Sequence, residues 1–484
     1  MKYIQFVLFL FFATYVANAQ SAGSVSASDA ISTGMGKPGA IAVRGTYAVG
    51  KNPALIGWGR GDIELSTVLP LLNFNVRTGL NVMTLEDYNY FFGWNDQYDA
   101  KGEKVKRDLT EADKSRFRDL VTAEDNGIVT NDLLIEYFNL IVRSDKKIGT
   151  FGFALTDFVS VRLNLPTQLL LFALDGNTPN KVFDFSENEA DALHLRKWTL
   201  SYARDIDFVQ IPYIKKLTAG LSLNYVQSFG YAHLERSNIK LVTDNKGVIT
   251  GTSDILGYVA LSPDFGVKYD FEDENLTKES NYGPFMGAAG TGFGVDFGFA
   301  AQVNEYLAAG LSFTDLGGLT FDQQVAEYSS NSDIRADDLF DKAQRDSLAE
   351  DVKGQGKFIS SIDVSLPSAM RLGASVDVEK LAGAGFPGKM LVALEYHQGF
   401  NTTPGNSTKP RFVLGMNWDP GKWIPYVRTG FSFGGRDKFS WALGIGVNAG
   451  PIEFNFASQD IHSVLGGLNS AKRVSVSFGS RWIF

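Results

Sequence analysis

The sequence predicts an all-β protein: a single transmembrane antiparallel β-barrel of about 14 strands, within a range of about 12 to 16, with an N-terminal plug in its lumen. Three observations lead to this prediction. Segments of strand length alternate between apolar and small or polar residues up to the final Phe484. The chain begins with the pattern of an export signal, and no linker rich in proline or serine divides the remainder.

Composition narrows the class of protein. The chain has 484 residues, a formal net charge of −9 and a sequence pI of about 5.2, and this acidic balance argues against a nucleic-acid partner. It contains no cysteine, which excludes disulfides, thiolate metal sites and a lipid anchor on an N-terminal cysteine. The 37 phenylalanines and 50 glycines suit strands that show aromatic residues to lipid and small residues to a crowded interior.

The first residues have the pattern of a signal peptide, predicted to span residues 1–19. Lys2 supplies a positive charge, residues 4–16 are almost wholly apolar, and Ala17-Asn18-Ala19 offers a cleavage site of the small-x-small type. The apolar stretch is too short for a membrane-spanning helix. We therefore expect an exported protein whose mature chain begins at Gln20.

Residues 20–60 differ from the rest of the mature chain. They are rich in glycine, alanine and serine, lack strand alternation, and contain the turn-forming sequence Asn52-Pro53-Ala54. A disordered lead-in is one interpretation, but it would expose Trp58 and its apolar neighbours to solvent. A compact plug packed inside the barrel is the favoured alternative, because a barrel of about 14 strands is wider than its own side chains can fill.

The barrel is predicted to occupy residues 61–484. Its alternation is clearest at residues 438–449, where Trp441 and Ile445 share one parity and Gly444 the other. The predicted strands span residues 61–79, 148–162, 193–206, 215–233, 236–246, 254–270, 290–303, 307–315, 358–379, 388–401, 409–419, 424–434, 438–449, 451–459 and 471–484. The segment at residues 358–379 has room for two strands, and some short segments are expected to be loop hairpins. Because bacterial barrels have even strand counts, a count of about 14 fits best.

Two long polar loops are predicted, near residues 86–147 and 322–357. Helical signals lie within and between these loops. They are a capping pattern at Thr110, apolar residues between Leu133 and Ile141 that fit a helix or a short amphipathic element, an apolar run at residues 166–174, and an acidic run at residues 333–338 that resembles a solvated helix start.

A soluble β-sandwich also alternates, with its apolar face inward, and is the main alternative fold. Two observations disfavour it. The polar faces of these strands hold mostly glycine, alanine, serine and asparagine rather than the lysine and glutamate of a solvated sheet. Aromatic residues also fall near strand ends, as at Trp418, Trp423, Tyr426 and Trp482, where a barrel has its interfacial girdle.

A few ionisable residues share the small-residue parity and are expected to point into the lumen. The candidates are Arg371, Glu395, His397 and Arg428. Either arginine can bind a carboxylate head group through a bidentate fork; the alternative is that these charges pair with one another and with the plug. Glu395 and His397 can poise a catalytic base, but no serine-centred motif accompanies them, so we predict no enzyme. No metal site or cofactor is predicted.

The order of signal peptide, lead-in with Asn52, Pro53 and Ala54, about 14 strands and terminal Phe484 resembles the FadL/TodX-type outer-membrane hydrocarbon transporters. It is especially similar to their relatives in Bacteroidota, including PorV-like barrels. The resemblance implies that Asn52, Pro53 and Ala54 belong to a hatch inside the lumen. It also implies that Phe484 is read by the barrel-assembly machinery of a Gram-negative outer membrane. Leu55 stands where the family usually has glycine, and the resemblance does not carry over a ligand.

The sequence therefore predicts an outer-membrane barrel that binds or transports a hydrophobic, fatty-acid-like small molecule. Two alternatives stay open: a PorV-like scaffold that binds exported proteins and transports nothing, and a general diffusion porin. The expected partners are outer-membrane lipid, the barrel-assembly machinery, and either a hydrophobic ligand or an exported protein. No nucleic acid is expected.

Overall fold

The computed structural model describes most of the chain after the predicted signal peptide. The described residues are 29–69, 72–98, 104–106, 109–124, 126–145, 147–175, 181–186, 188–207, 211–273, 275–337, 343–344, 346–347, 351, 354–383, 385–421, 424–435 and 438–484. The predicted signal peptide (1–19), the first residues of the predicted plug (20–28) and Trp423 lie outside them.

The fold is a closed antiparallel β-barrel of 14 strands. The strands in chain order are β1 (Ile63–Thr67), β2 (Asn73–Leu80), β3 (Trp94–Tyr98), β4 (Lys104–Lys106), β5 (Asn126–Arg143), β6 (Thr150–Pro166), β7 (Val182–Asp184), β8 (Glu189–Asp205), β9 (Lys216–Thr243), β10 (Ile249–Leu261), β11 (Gly290–Gln302), β12 (Leu307–Phe321), β13 (Val325–Ala336), β14 (Gln355–Phe358), β15 (Ile362–Ser365), β16 (Ala369–Asp377), β17 (Lys389–Gly399), β18 (Arg411–Asp419), β19 (Tyr426–Gly434), β20 (Phe439–Ala449), β21 (Ile452–Ser458) and β22 (Arg473–Ile483).

The wall closes because the last strand pairs with the first. Around the ring, β1 and β2 act as one interrupted strand, followed by β5, β6, β8, β9, β11, β12, then β15 with β16, and β17 to β22 in order. β22 pairs with both β1 and β2, so this wall leaves no strand edge open. The predicted antiparallel barrel of about 14 strands and the predicted closing strand are confirmed.

The helices are short, and none of those described forms part of the wall. They are α1 (Ala30–Gly34), α2 (Leu85–Phe92), α3 (Glu111–Thr122), α4 (Thr167–Asp175), α5 (Val378–Ala382) and α6 (Ile461–Val464), with 3-10 turns at Gly45–Ala48, Pro53–Trp58, Pro263–Phe265 and Leu468–Ser470. In the part of the chain described, no helix has the length and apolar character needed to cross a membrane.

The two faces of the wall differ in the way that the alternation predicts. On β20, Ser440, Ala442 and Gly444 are buried, whereas Phe439 and Ile445 are exposed. The same arrangement, with apolar residues exposed, recurs on β17, β18 and β19, where Leu394, Leu414 and Phe433 are each about half exposed. A continuous apolar exterior of this kind is unfavourable in water but suits contact with lipid.

The two ends of the barrel differ in the length of their connections. At the end that holds Phe484, β5 joins β6 through residues 144–149 and β11 joins β12 through residues 303–306. At the opposite end the connections are long and carry α2, α3 and α4. The strand β9, 28 residues in all, extends beyond the wall at this end and pairs there with β10. Because outer-membrane barrels have short periplasmic turns and long extracellular loops, we name the long-loop end the outer end.

The helix or short amphipathic element expected between Leu133 and Ile141 is wrong, because a long strand occupies these residues, and so is part of the predicted loop at residues 86–147. These residues belong to β5, an 18-residue strand. Its register against β6 passes from Glu136 to Phe138 with Tyr137 left over, a bulge. The extra residue shifts the parity of all that follows, so the apolar positions lose their period of two.

The loop predicted at residues 322–357 is also wrong in part. It contains β13 and β14, and residues 333–336 lie in β13 rather than at a helix start. β13 pairs with β10 along its length at the outer end, beyond the apolar band. Polar residues such as Ser329 and Asn331 are exposed there, so the apolar alternation that marks the wall strands is missing.

The other predictions differ from the structure mainly at boundaries. The strand expected at residues 236–246 is the outer half of β9, and the one expected at residues 254–270 is β10. The capping pattern at Thr110 begins α3 through a capping box with Asp113. The helix expected at residues 166–174 is α4, and the segment with room for two strands holds β15 and β16.

The lipid-facing exterior is testable with Leu414→Arg near the middle of β18. We expect a loss of about 2–4 kcal/mol in the free energy of unfolding, because a charge must enter the bilayer core. The measurement is urea unfolding of the barrel in phospholipid vesicles. Thr408→Arg, in an exposed loop, is the matched control and should be neutral. An equally neutral Leu414→Arg would contradict a lipid-facing wall.

Candidate functional site in the barrel lumen

The N-terminal segment, defined here as residues 29–59, lies against the inward face of the wall. α1 packs on β20, β21 and β22, and the turn Pro53–Trp58 packs on β8, β9 and β11. In the ring order these two groups of strands are half a circumference apart. The segment therefore runs across the lumen from one wall to the opposite wall.

Inward-facing glycines let the backbone of this segment approach the wall. At Gly430 a side chain would overlap the carbonyl of Met35, and at Gly310 it would overlap the carbonyl of Ala40. Glycines that face the segment's backbone on other strands are Gly220, Gly415 and Gly444, while Gly298 faces the Asn52 side chain. The small-residue parity seen in the sequence is thus occupied by a second layer of backbone rather than by water.

Two buried carboxylates of the wall bind backbone amides of the N-terminal segment. Glu395 on β17 accepts hydrogen bonds from the amides of Gly39 and Ala40, both at 2.6 Å. Glu64 on β1 accepts from the amide of Thr46 at 3.0 Å and from that of Arg60, the residue directly after the segment, at 2.7 Å. Hydrogen bonds to a charged acceptor are about twice as strong as neutral ones, so both carboxylates fix the path of the segment.

Wall side chains also donate to carbonyls of the segment. Arg411 donates to the carbonyls of Gly36 and Lys37, each at 3.1 Å. Asn139 donates to the carbonyl of Thr46 at 2.9 Å, and Arg143 donates to that of Ile56 at 3.1 Å. Buried backbone groups need such partners, and here residues far away in the sequence supply them.

The Asn52-Pro53-Ala54 sequence lies where the segment meets β9 and β11. The Asn52 side chain caps the Pro53–Trp58 turn by accepting from the amide of Ala54 at 3.1 Å. The same side chain donates to the carbonyl of Ala40 at 2.7 Å and to that of Phe299 on β11 at 3.2 Å. Asn52 therefore joins two parts of the segment to the wall.

The segment is closed on itself by an ion pair between Asp29 and Lys51. Lys51 also donates to the carbonyl of Tyr47 at 2.9 Å. Burial acts to raise the pKa of the Asp29 carboxyl, but the Lys51 ammonium and hydrogen bonds from Ser32 hold that pKa below its ordinary value. The pair links the beginning of the described segment to the turn that precedes Asn52.

A second ionic cluster joins the barrel seam to the segment. Arg481 on β22 donates to Glu453 at 2.7 Å and to Glu64 at 2.8 Å, and its guanidinium lies 4.4 Å from the ring centre of Tyr47. Arg428 on β19 approaches Glu453 at 4.0 Å. First strand, last strand and N-terminal segment thus share one set of buried charges.

The structure brings together three of the four predicted lumen residues. Arg371, Glu395 and His397 lie on the adjacent strands β16 and β17, with Arg371 directly opposite His397. Arg428 lies on another part of the wall, with Glu453, so the charge opposite Glu395 comes from Arg371. All four are buried.

Sequence reasoning missed Arg411 and Glu64, which bind the segment as closely as the predicted residues do. Both have the inward parity of their strands, since Val413 and Ser66 two positions further are also buried. A strict reading of parity would have found them. It would not have found their partners, because the segment itself has no period.

One wall strand is interrupted between β1 and β2. Thr67 pairs with Phe138 and Asn73 with Glu136, so the ladder on β5 passes from β1 to β2 across a single residue, Tyr137. The Asn73 side chain covers the gap: it accepts from the amide of Ser480 at 2.5 Å and donates to the Ser480 carbonyl at 3.1 Å. The Asn73 side-chain amide thus makes the two hydrogen bonds to β22 that a backbone peptide group makes in a regular sheet.

Apolar side chains line the outer part of the lumen and its cover. Leu195 on β8 and Val226 on β9 pack with Tyr231, Phe321 and Leu366 in a buried cluster. A second buried apolar cluster, in the cover, joins the connections that carry α2, α3 and α4. It contains Val82, Met83, Phe91, Phe117, Val121 and Leu171. Among the residues described, no group of three or more metal-ligating side chains is present.

These features define a closed 14-strand β-barrel with its N-terminal segment packed against the inward face of the wall. The chain belongs to a protein family described as "Family of unknown function (DUF5723)", whose model matches residues 53–458. No curated protein matches the sequence.

Solved barrels are similar in overall architecture only. The P. putida toluene transporter TodX shares 11% identity over 95% of this chain and 97% of its own, with a TM-score of 0.46. The TodX monoaromatic hydrocarbon channel with the deltaS2 mutation shares 11% identity over 95% of this chain and 100% of its own, with a TM-score of 0.48. A mutant Rh. blastica porin shares 11% identity over 60% of this chain and 92% of its own, with a TM-score of 0.20.

The role of Glu395 in holding the segment is testable with Glu395→Ala. Two buried amides lose their acceptor, so we expect the free energy of local opening at Gly39 and Ala40 to fall by about 2 kcal/mol. Amide hydrogen exchange read by mass spectrometry measures it. Glu395→Gln keeps an acceptor and should lose less, and Glu305→Ala in an exposed turn is the control. Unchanged exchange in Glu395→Ala would refute the role.

Proposed function

We propose that this protein is a Gram-negative outer-membrane barrel that binds a hydrophobic, fatty-acid-like small molecule and carries it across the membrane, with residues 20–60 as its plug. One observation carries the proposal. The N-terminal segment packs on opposite walls of the lumen, while on its outer side apolar wall residues such as Leu195 and Val226 pack in a buried cluster. An apolar solute is favoured next to residues of this kind, and ions are not.

A general diffusion porin fits these features poorly. Such a porin needs an open aqueous lumen, whereas here the inward glycines contact backbone of the segment. Buried inward-facing charges are engaged either with that backbone, as Glu64 and Glu395 are, or with one another, as Lys197 and Asp315 are.

The route would have three steps. The apolar clusters at the outer end capture the ligand, the ligand passes the outer surface of the plug, and it leaves by a shift of the plug or through the wall. The interruption between β1 and β2 supports the last possibility, because Val68 and Leu69 are exposed there and the Asn73 side chain bridges to Ser480 on β22 across it.

The alternative of a non-transporting, PorV-like scaffold is favoured by the density of bonds on the segment. Glu395, Glu64, Arg411 and Asn139 hold it at many points, and a segment held so firmly opposes movement. In that case the outer loops would bind an exported protein and the plug would be purely structural.

Removal of residues 20–60 tests the plug. We expect the shortened protein to conduct ions in planar lipid bilayers while the full mature chain stays closed, because nothing else described crosses the lumen from wall to wall. Removal of residues 20–28 alone keeps every described contact of the segment and is the matched control. Equal conductance of the long deletion and the mature chain would rule out the plug.

Transport is separated from the scaffold role by what the purified protein carries and moves. We expect proteoliposomes that contain the barrel to take up radiolabelled dodecanol several-fold faster than empty ones. The scaffold alternative predicts no faster uptake and a stoichiometric protein partner after mild detergent extraction. Uptake equal to that of empty liposomes would contradict the transport proposal.

A further inference from the structure

A buried ion pair lies on the outward face of the wall. Arg196 on β8 has the parity of Leu200 and Tyr202, which are exposed, and it is directly opposite Asp157 on β6. Its guanidinium donates to both oxygens of the Asp157 carboxylate, at 2.7 and 2.8 Å. Because charges are costly in the apolar band of a barrel, this ion pair marks the outer limit of the band on this side of the wall.

Aromatic side chains occupy the next outward-facing row, nearer the middle of the wall. Trp198, Tyr225 and Phe293 are directly opposite one another across β8, β9 and β11. The rings of Tyr225 and Phe293 lie 5.4 Å apart, and Trp198 donates to the side chain of Gln227 at 3.0 Å. Aromatic girdles flank the apolar band of such barrels, so the aromatic row and the ion pair together locate the outer membrane interface.

The connection from β10 to β11 folds back onto this level of the wall. Arg196 also donates to the carbonyl of Pro284, which places that residue beside the outward ion pair. Asp264 holds both ends of the turn around Pro284. Its carbonyl accepts from the amide of Asn281 at 2.8 Å, and its carboxylate accepts from that of Gly287 at 2.5 Å. The turn is therefore fixed at the height of the interface.

This aromatic turn, defined as residues 282–286, presents apolar side chains to its surroundings. Phe285 is 92% exposed and Tyr282 is 68% exposed. The sequence has no charged residue at positions 280–295, whereas residues 264–279 of the same connection are dense in aspartate, glutamate and lysine. Removing an aromatic ring from water is favourable, and at this height lipid is the apolar phase that a membrane barrel meets.

We propose that the aromatic turn inserts into the outer leaflet of the membrane, with Phe285 in contact with lipid. The partner is the lipid surface because the turn continues the lipid-facing wall: it lies beside the ion pair, directly above the row that contains Tyr225 and Phe293. The inference rests on the membrane location that the proposed function assumes, and not on transport.

Insertion would also fix the position of the outer sheet, defined as β10, β13 and the outer half of β9. The same connection is bound to this sheet by two tyrosines. Tyr269 donates to the carbonyl of Gln324, which directly precedes β13, at 2.7 Å. Tyr328 on β13 donates to Asp270 at 2.9 Å. The connection thus joins the sheet outside the membrane to the turn at its surface.

The test uses the lack of cysteine in the chain, which lets one engineered cysteine carry a single nitroxide label. The full mature chain is placed in vesicles of phosphatidylethanolamine and phosphatidylglycerol. Power-saturation electron paramagnetic resonance then compares access of oxygen, which enters lipid, with access of a nickel chelate, which stays in water. We expect Phe285→Cys to give a several-fold higher oxygen-to-nickel ratio than Leu276→Cys, the matched control from the charged part of the same connection. Leu414→Cys marks the wall.

The outcomes separate the turn from the membrane location. High ratios at both Phe285 and Leu414 support insertion. A high ratio at Leu414 with a ratio at Phe285 equal to that at Leu276 overturns insertion and leaves the membrane barrel in place. Low access of both reagents at Phe285 means that protein covers the turn, which also overturns insertion. A low ratio at Leu414 contradicts the membrane location itself. Each labelled protein must keep the thermal-unfolding midpoint of the unlabelled chain, which excludes misfolding as the cause.

Discussion

The structure depends on one geometric constraint: a closed sheet of this size encloses more space than its own inward side chains fill. The space is occupied by residues 29–59, whose backbone must then find hydrogen-bond partners away from water. This requirement explains the two kinds of residue found on the inward face. Glycines such as Gly310 and Gly430 let the backbone come close, and isolated polar residues such as Glu395 satisfy its amides. Neither group is explained by the wall alone.

The same requirement couples closure of the barrel to docking of the segment. Glu64 on the first strand binds Arg481 on the last strand and also the amide of Thr46. Removing charges from water is costly, so buried ion pairs are a poor source of net stability. These ion pairs instead align the barrel seam with the N-terminal segment. Both bind the Glu64 carboxylate, so the position of each restricts the position of the other.

Much of the fold could be predicted because lipid and lumen impose opposite demands on alternate residues. The wall strands from Lys389 onward follow that rule and were predicted nearly to their ends. β5 was missed because the bulge at Tyr137 breaks the period of two, and β13 because its outward face is polar rather than apolar. The inward parity of Arg371, Glu395, His397 and Arg428 was predictable, but the interactions they make were not.

By itself, the sequence determined the architecture and the orientation of most wall side chains, because strand parity is local and each face has a single environment to satisfy. The tertiary structure alone decided which polar residues meet. Glu395 binds amides more than three hundred positions away, and Arg411 joins Arg371 and His397 only through strand register. Closure of the ring sets these contacts, and no periodicity within a single strand encodes which strand lies across the lumen.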